Sequence, residues 1–153
     1  MRRLSWIARK TLRESGVATH KASVTLDQAH AIIEAGRAKA DDIGVPMNIA
    51  VVDAGNNLTA FSRMDGAWLG SIDIAQSKAY TARAFDMPTR DLAEMAQPGE
   101  PLFGIEGSNQ SVIIFAGGIP LTDSETVVGA VGVSGGTPDQ DHEVCAAAVS
   151  AYS

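Results

Sequence analysis

The sequence predicts an α+β fold, an antiparallel sheet flanked by helices, on three observations. Helical and strand-like segments follow one another without the regular βαβ alternation that a doubly wound sheet requires. Two Thr-x-x-Gln capping boxes, at Thr25 to Gln28 and at Thr137 to Gln140, open helices at the two ends of the compact region. Between them, two β-rich runs flank Ala54-Gly55-Asn56-Asn57, the turn chemistry of a hairpin.

The first helix runs to about Ile43, with Leu26, Ala29, Ile32, Ile33 and Ala40 on its buried face, and Gly44 ends it. Pro46 opens an extended run over residues 47–53, and residues 58–63 return as the second hairpin arm. A second long helix is expected from about Ala67 to Phe85, burying Trp68, Ile72, Ala75, Ala79 and Ala82. A short helix follows Pro88, with Thr89 as its cap. Residues 97–110 show no periodicity, and a loop of that length in a compact domain is either functional or disordered. Ser111-Val112-Ile113-Ile114-Phe115 reads as a buried strand, Gly117-Gly118 turns the chain, and residues 119–122 and 126–134 pair across Asp123-Ser124. Proline at the first helical position then launches an alanine-rich last helix that ends near Ala151.

At 153 residues, 45% hydrophobic and 20% charged, the chain has the size and composition of one folded domain, placed over 22–153. Its single cysteine, Cys145, excludes a disulfide framework or a thiolate metal cluster within one chain. No apolar run approaches the roughly 18 residues of a membrane span. Residues 1–21 form a basic N-terminal arm. Six lysines and arginines there face Glu14 alone, a net +5, which leaves −11 on the rest of a chain whose formal charge is −6. An acidic body argues against nucleic acid as the partner. No apolar signal region follows Arg2-Arg3, so a cytoplasmic location is expected.

Several residue sets point to chemistry. Gly132-Val133-Ser134-Gly135-Gly136 matches the G-x-S-x-G elbow of serine hydrolases, but Asp141 and His142 follow on one helix, where their side chains diverge by about 100°. The better use of that turn is as a cradle of backbone amides for a carboxylate or phosphate, and Gly117-Gly118 offers a second place of close backbone approach. Arg63, Asp65 and Lys78 form the most informative charged set. A lysine on the edge of a buried helix face needs a partner. An ion pair with Asp65, an anion clamp, or a base of depressed pKa all answer that need. The histidines have no metal-ligand spacing. His20 and His142 are candidates for an axial haem ligand, and His30 falls on a polar face.

Together these motifs resemble the GlcG/HbpS family of small haem-binding proteins and, within it, the C-terminal domain of PduO-type cobalamin adenosyltransferases. The resemblance is carried by residues 51–55, Arg63-Met64-Asp65, Lys78-Ala79, Thr81-Ala82, Gln97-Pro98-Gly99, Leu102, Gly104 and Asn109-Gln110. It continues through residues 113–120 and 128–137, and covers about residues 24–151. It implies a profilin-like fold with a sheet of about five strands, assembled as a homo-oligomer between dimer and octamer, and an association with haem handling or catabolic pathways. Many members carry a histidine in the hairpin turn, where this chain has Asn56-Asn57.

The expected function is binding of haem or another small anionic, carboxylated ligand. Arg63, Lys78, Asn109, Gly117, Gly118 and Gly135 would line the site, with Asp65 orienting the cations. The alternative is a cofactor-free lyase or isomerase acting on a small carboxylated, possibly aromatic, catabolite. Lys78 would then be the base, and Asp65 or His142 its proton partner. A third reading is a structural module that presents the basic arm.

Overall fold

The computed structural model describes residues 21–109 and 111–153. Apart from Lys21, the basic arm, and His20 with it, lies outside the described residues. In chain order the elements are α1 (Leu26–Ile43), β1 (Asn48–Asp53), β2 (Leu58–Arg63), α2 (Gly70–Phe85) and α3 (Thr89–Met95). A 3-10 turn (Ile105–Gly107), β3 (Gly118–Asp123), β4 (Thr126–Ser134) and α4 (Pro138–Val149) complete them. The strands form one antiparallel sheet in the order β2-β1-β4-β3.

Both capping boxes are present. The Thr25 and Thr137 hydroxyls accept from the amides of Gln28 and Gln140, whose side chains accept from the cap amides in return. Gly44 ends α1 in the left-handed conformation, φ 70°. The hairpin turn is locked by Asp53, whose Oδ1 accepts from the amides of Gly55 and Asn57 at 2.9 Å each.

The period-2 alternation of the two central strands divides the core. Ile49, Val51, Val131 and Val133 point toward α1 and α4, where they pack with Ile32, Ile33, Val144 and Ala148. Each fully buried aliphatic side chain there contributes roughly 1.5–3 kcal/mol. Lys39 of α1 also reaches Glu143 of α4 at 2.8 Å. Ala50, Val52 and Ala130 point the other way, onto Ala75, Ala79 and Ala82 of α2. The contact between α2 and β4 is close enough to need glycine. A Cβ on Gly132 would fall 2.0 Å from the Ala75 carbonyl oxygen.

Four expectations are corrected. Among the described residues the sheet has four strands rather than five, because Ser111–Phe115 joins no ladder. Thr81 holds that segment instead, its hydroxyl accepting from the Ile113 amide at 3.0 Å and lying 3.2 Å from the Ser111 carbonyl. The second long helix begins at Gly70, so Trp68 precedes it and is 66% exposed rather than buried. Leu26, at the first position of α1, is likewise exposed. Thr89 lies inside α3, whose cap is Pro88, and its hydroxyl accepts from the Gly118 amide at 2.9 Å, tying α3 to the start of β3.

Candidate functional site

The sequence-predicted residues fall into three places. The first is buried. Lys78 projects from α2 toward the end of β4 and is 1% exposed. Its ammonium donates to Asp141 Oδ2 at 2.6 Å and to the Val133 carbonyl at 3.0 Å. Asp141 Oδ1 accepts from the amides of Gly135 and Gly136 at 3.1 and 2.8 Å. Gly117 closes the group at φ 124°, where a Cβ would meet Val133 O at 2.7 Å and Lys78 Nζ at 2.8 Å. Gly118 lies as tightly on the backbone of Lys78.

Lys78 and the glycines 117, 118 and 135 therefore converge, and the anion they surround is the chain's own Asp141. The Lys78–Asp65 pair is corrected to Lys78–Asp141. Burial pushes the Lys78 ammonium below the ordinary lysine value, opposed by the charge of Asp141. Burial likewise pushes the Asp141 carboxyl up, opposed by Lys78 and by the two glycine amides. Ser134, in the elbow-like motif, is buried and donates to Ser71 Oγ at 3.1 Å.

The second place is an open cleft of about 530 Å3 between the C-terminal half of α1 and the end of β2. Arg63 and Asp65 line it, with Arg37, Asp41, Ser62 and Met64. Arg63 Nη1 donates to the Ala67 carbonyl at 3.4 Å, and Arg37 Nη1 to Glu34 at 2.8 Å. Arg37 and Asp41 were not among the sequence-predicted site residues, and Met64 entered only between Arg63 and Asp65 in the resemblance. The helical spacing of Arg37 and Asp41, one turn apart and ten and six residues before the extended run, was the available signal.

The third place is the opposite face of the sheet, where Asn109 Nδ2 donates to the Tyr80 hydroxyl at 3.0 Å. His142 stands apart from all three. Its Nδ1 is enclosed without a partner, and burial, followed by the charge of Arg90, lowers its pKa below the ordinary histidine value. Among the described residues no hydrogen bond or ion pair joins Lys78, Asp65 and His142. No group of three His, Cys, Asp or Glu side chains there is placed to hold a metal. No described helix is long and apolar enough to cross a membrane.

Comparison with known proteins adds to this geometry. Residues 24–150 match the sequence pattern of a family described as haem degrading protein HbpS-like. An uncharacterized 15.0 kDa protein from the dhaT-dhaS intergenic region of Citrobacter freundii is 41% identical over 133 residues, 86% of this chain and 94% of that one. The crystal structure of protein ORFY of Klebsiella pneumoniae superimposes with a TM-score of 0.86 at 37% identity, covering 90% of this chain and 95% of that one. A crystal structure of a PduOC:heme complex superimposes at 0.82 and 32% identity, covering 85% and 95%.

Proposed function

The chain belongs to the HbpS-like family, and from that premise we propose that it binds haem or a closely related carboxylated small molecule in the cleft between α1 and β2. The observation that carries the reading is the pair of guanidinium groups, Arg37 and Arg63, in one cleft of about 530 Å3. That volume lies within the range of small-molecule sites, and guanidinium is the side chain best shaped for carboxylates. The solved PduOC relative in complex with heme supports the same ligand class.

The donor set fits the group at its acidic edge. Arg37 and Arg63 would hold the propionates. Asp41 and Asp65, in the same cleft, repel a carboxylate placed elsewhere and so fix the ligand's orientation. His142 stands apart from this cleft, beside Arg90, Asp91 and Asp139, and is not the iron ligand of a haem held there, which leaves His20 as the candidate. Haem, when bound, supplies the iron and its redox chemistry; the chain supplies binding and orientation. Lys78 and the glycine bends form a separate, buried group that is already charge-satisfied by Asp141. We place the binding in the cytoplasm and in a homo-oligomer between dimer and octamer, which native mass spectrometry of the purified protein tests directly.

The test of the ligand is a haemin titration followed in the Soret region. Replacing Arg37 and Arg63 together by Gln weakens binding by about tenfold or more, the loss of charge-assisted hydrogen bonds. Equal affinity in the folded double variant, or no saturable absorbance change in the wild type, overturns the proposal.

A further inference from the structure

On the α2 face of the sheet, away from the arginine pair, a second cleft of about 430 Å3 is walled by Asn56, Asp73, Gln76, Ser77 and Tyr80, with Leu58 at its lip. Its charge differs from that of the first, where two arginines face two aspartates. Among the described residues no lysine or arginine lines it, and Asp73 is its one formal charge. Gln76 spends its Nε2 on the Ile72 carbonyl at 3.3 Å, which leaves its Oε1 as an acceptor. Asn56 spends its Nδ2 on the Tyr80 carbonyl at 3.1 Å, and its Oδ1 is enclosed with no donor. That carbonyl dipole is uncompensated in a low-dielectric wall, where its negative end favours a cation more than it would in water. Ser77 adds a hydroxyl oxygen. The Tyr80 hydroxyl already accepts from Asn109. Val52 and Leu58 supply apolar surface for a short hydrocarbon body.

We infer that this cleft is a second binding site, for a small organic cation: a primary ammonium on a short apolar chain. The ammonium sits against Asp73, with the Gln76 and Ser77 oxygens as acceptors and the Asn56 dipole behind them. The hydrocarbon lies on Val52 and Leu58. The site is independent of the arginine cleft, because α1 and α2 lie on opposite faces of the sheet.

The test uses the whole chain, 15N-labelled, titrated with n-butylammonium chloride and, in parallel, with 1-butanol and sodium butyrate. Expected are saturable shifts confined to the amides of Asn56, Asp73, Ser77 and Tyr80, given by the ammonium alone. Asp73→Asn, at an exposed position in the first turn of α2, weakens the response about tenfold. Asn56→Gly also weakens it, and its fold is protected because φ at this position is 64°, a conformation glycine adopts freely. Equal shifts from butanol or butyrate, an Asp73→Asn protein that binds as well as wild type, or no saturable response overturns the inference. Replacing Arg63 leaves the response unchanged, which separates this result from the haemin titration.

Discussion

The ammonium of Lys78 stands 2.6 Å from the carboxylate of Asp141, 63 residues later in the chain, and both groups are buried. The pair ties α2 to α4 across the bend that ends β4. A charge held this way is costly to strand. Lys78→Met leaves Asp141 enclosed without a counter-charge and is expected to lose about 3–5 kcal/mol of stability. Adding Asp141→Asn recovers more than about 1 kcal/mol, because an amide oxygen there still accepts from Gly135 and Gly136. Urea denaturation of the wild type and the two variants checks this, and a Lys78→Met protein within about 0.5 kcal/mol of wild type contradicts it.

Gly132 carries the approach of α2 to β4. A Cβ there would stand 2.0 Å from the Ala75 oxygen and 2.4 Å from the Ala79 nitrogen, both backbone atoms that no rotamer change can move. Gly132→Ala is expected to cost more than the roughly 1–3 kcal/mol of ordinary overpacking, and its thermal melt falls well below that of wild type. A melt unchanged within error would show that the helix slides freely on the strand.

Thr89 receives the Gly118 amide in a buried setting. Thr89→Val keeps the shape and removes the acceptor, at a cost of about 1–3 kcal/mol for the unpaired donor. Hydrogen exchange at the Gly118 amide accelerates more than at other β3 amides. Uniform acceleration along β3 would instead point to general loosening.

His142 sets a pH dependence. Its folded pKa is lowered by burial and then by Arg90, with Asp91 and Asp139 opposing. The unfolded chain therefore binds more protons in the window below pH 6.5, and stability rises with pH through that window and is lost as the solution turns acid. His142→Gln flattens the stability profile between about pH 5 and 6.5 relative to wild type. Parallel profiles for the two proteins would remove His142 as the source.

Local chemistry was readable in the sequence where one short segment decides the outcome. The two capping boxes, the left-handed stop at Gly44 and the hairpin turn at Asp53 each place their partners within about four residues. What escaped is decided at long range. Val112-Ile113-Ile114 has the composition of a strand, yet Thr81 takes its polar groups and no ladder forms. Lys78 had two aspartates of equal chemistry to choose from. Nothing in the spacing of Asp65 or Asp141 reveals that the turn before α4 brings the second one under the lysine. The same limit applies to the arginine cleft, where Arg63 was legible beside Asp65 but Arg37 and Asp41 reach it only through the docking of α1.

The small-residue seam of Ala75, Ala79 and Ala82 against Ala50, Ala130 and Gly132 has an evolutionary consequence. A helix seated directly on strand backbone accepts almost no larger side chain along its inner edge. Sequence change on this face is therefore confined to its outer margins, at positions such as Asn56 and Asp73, while the seam stays fixed. Diversification is channelled to the rims.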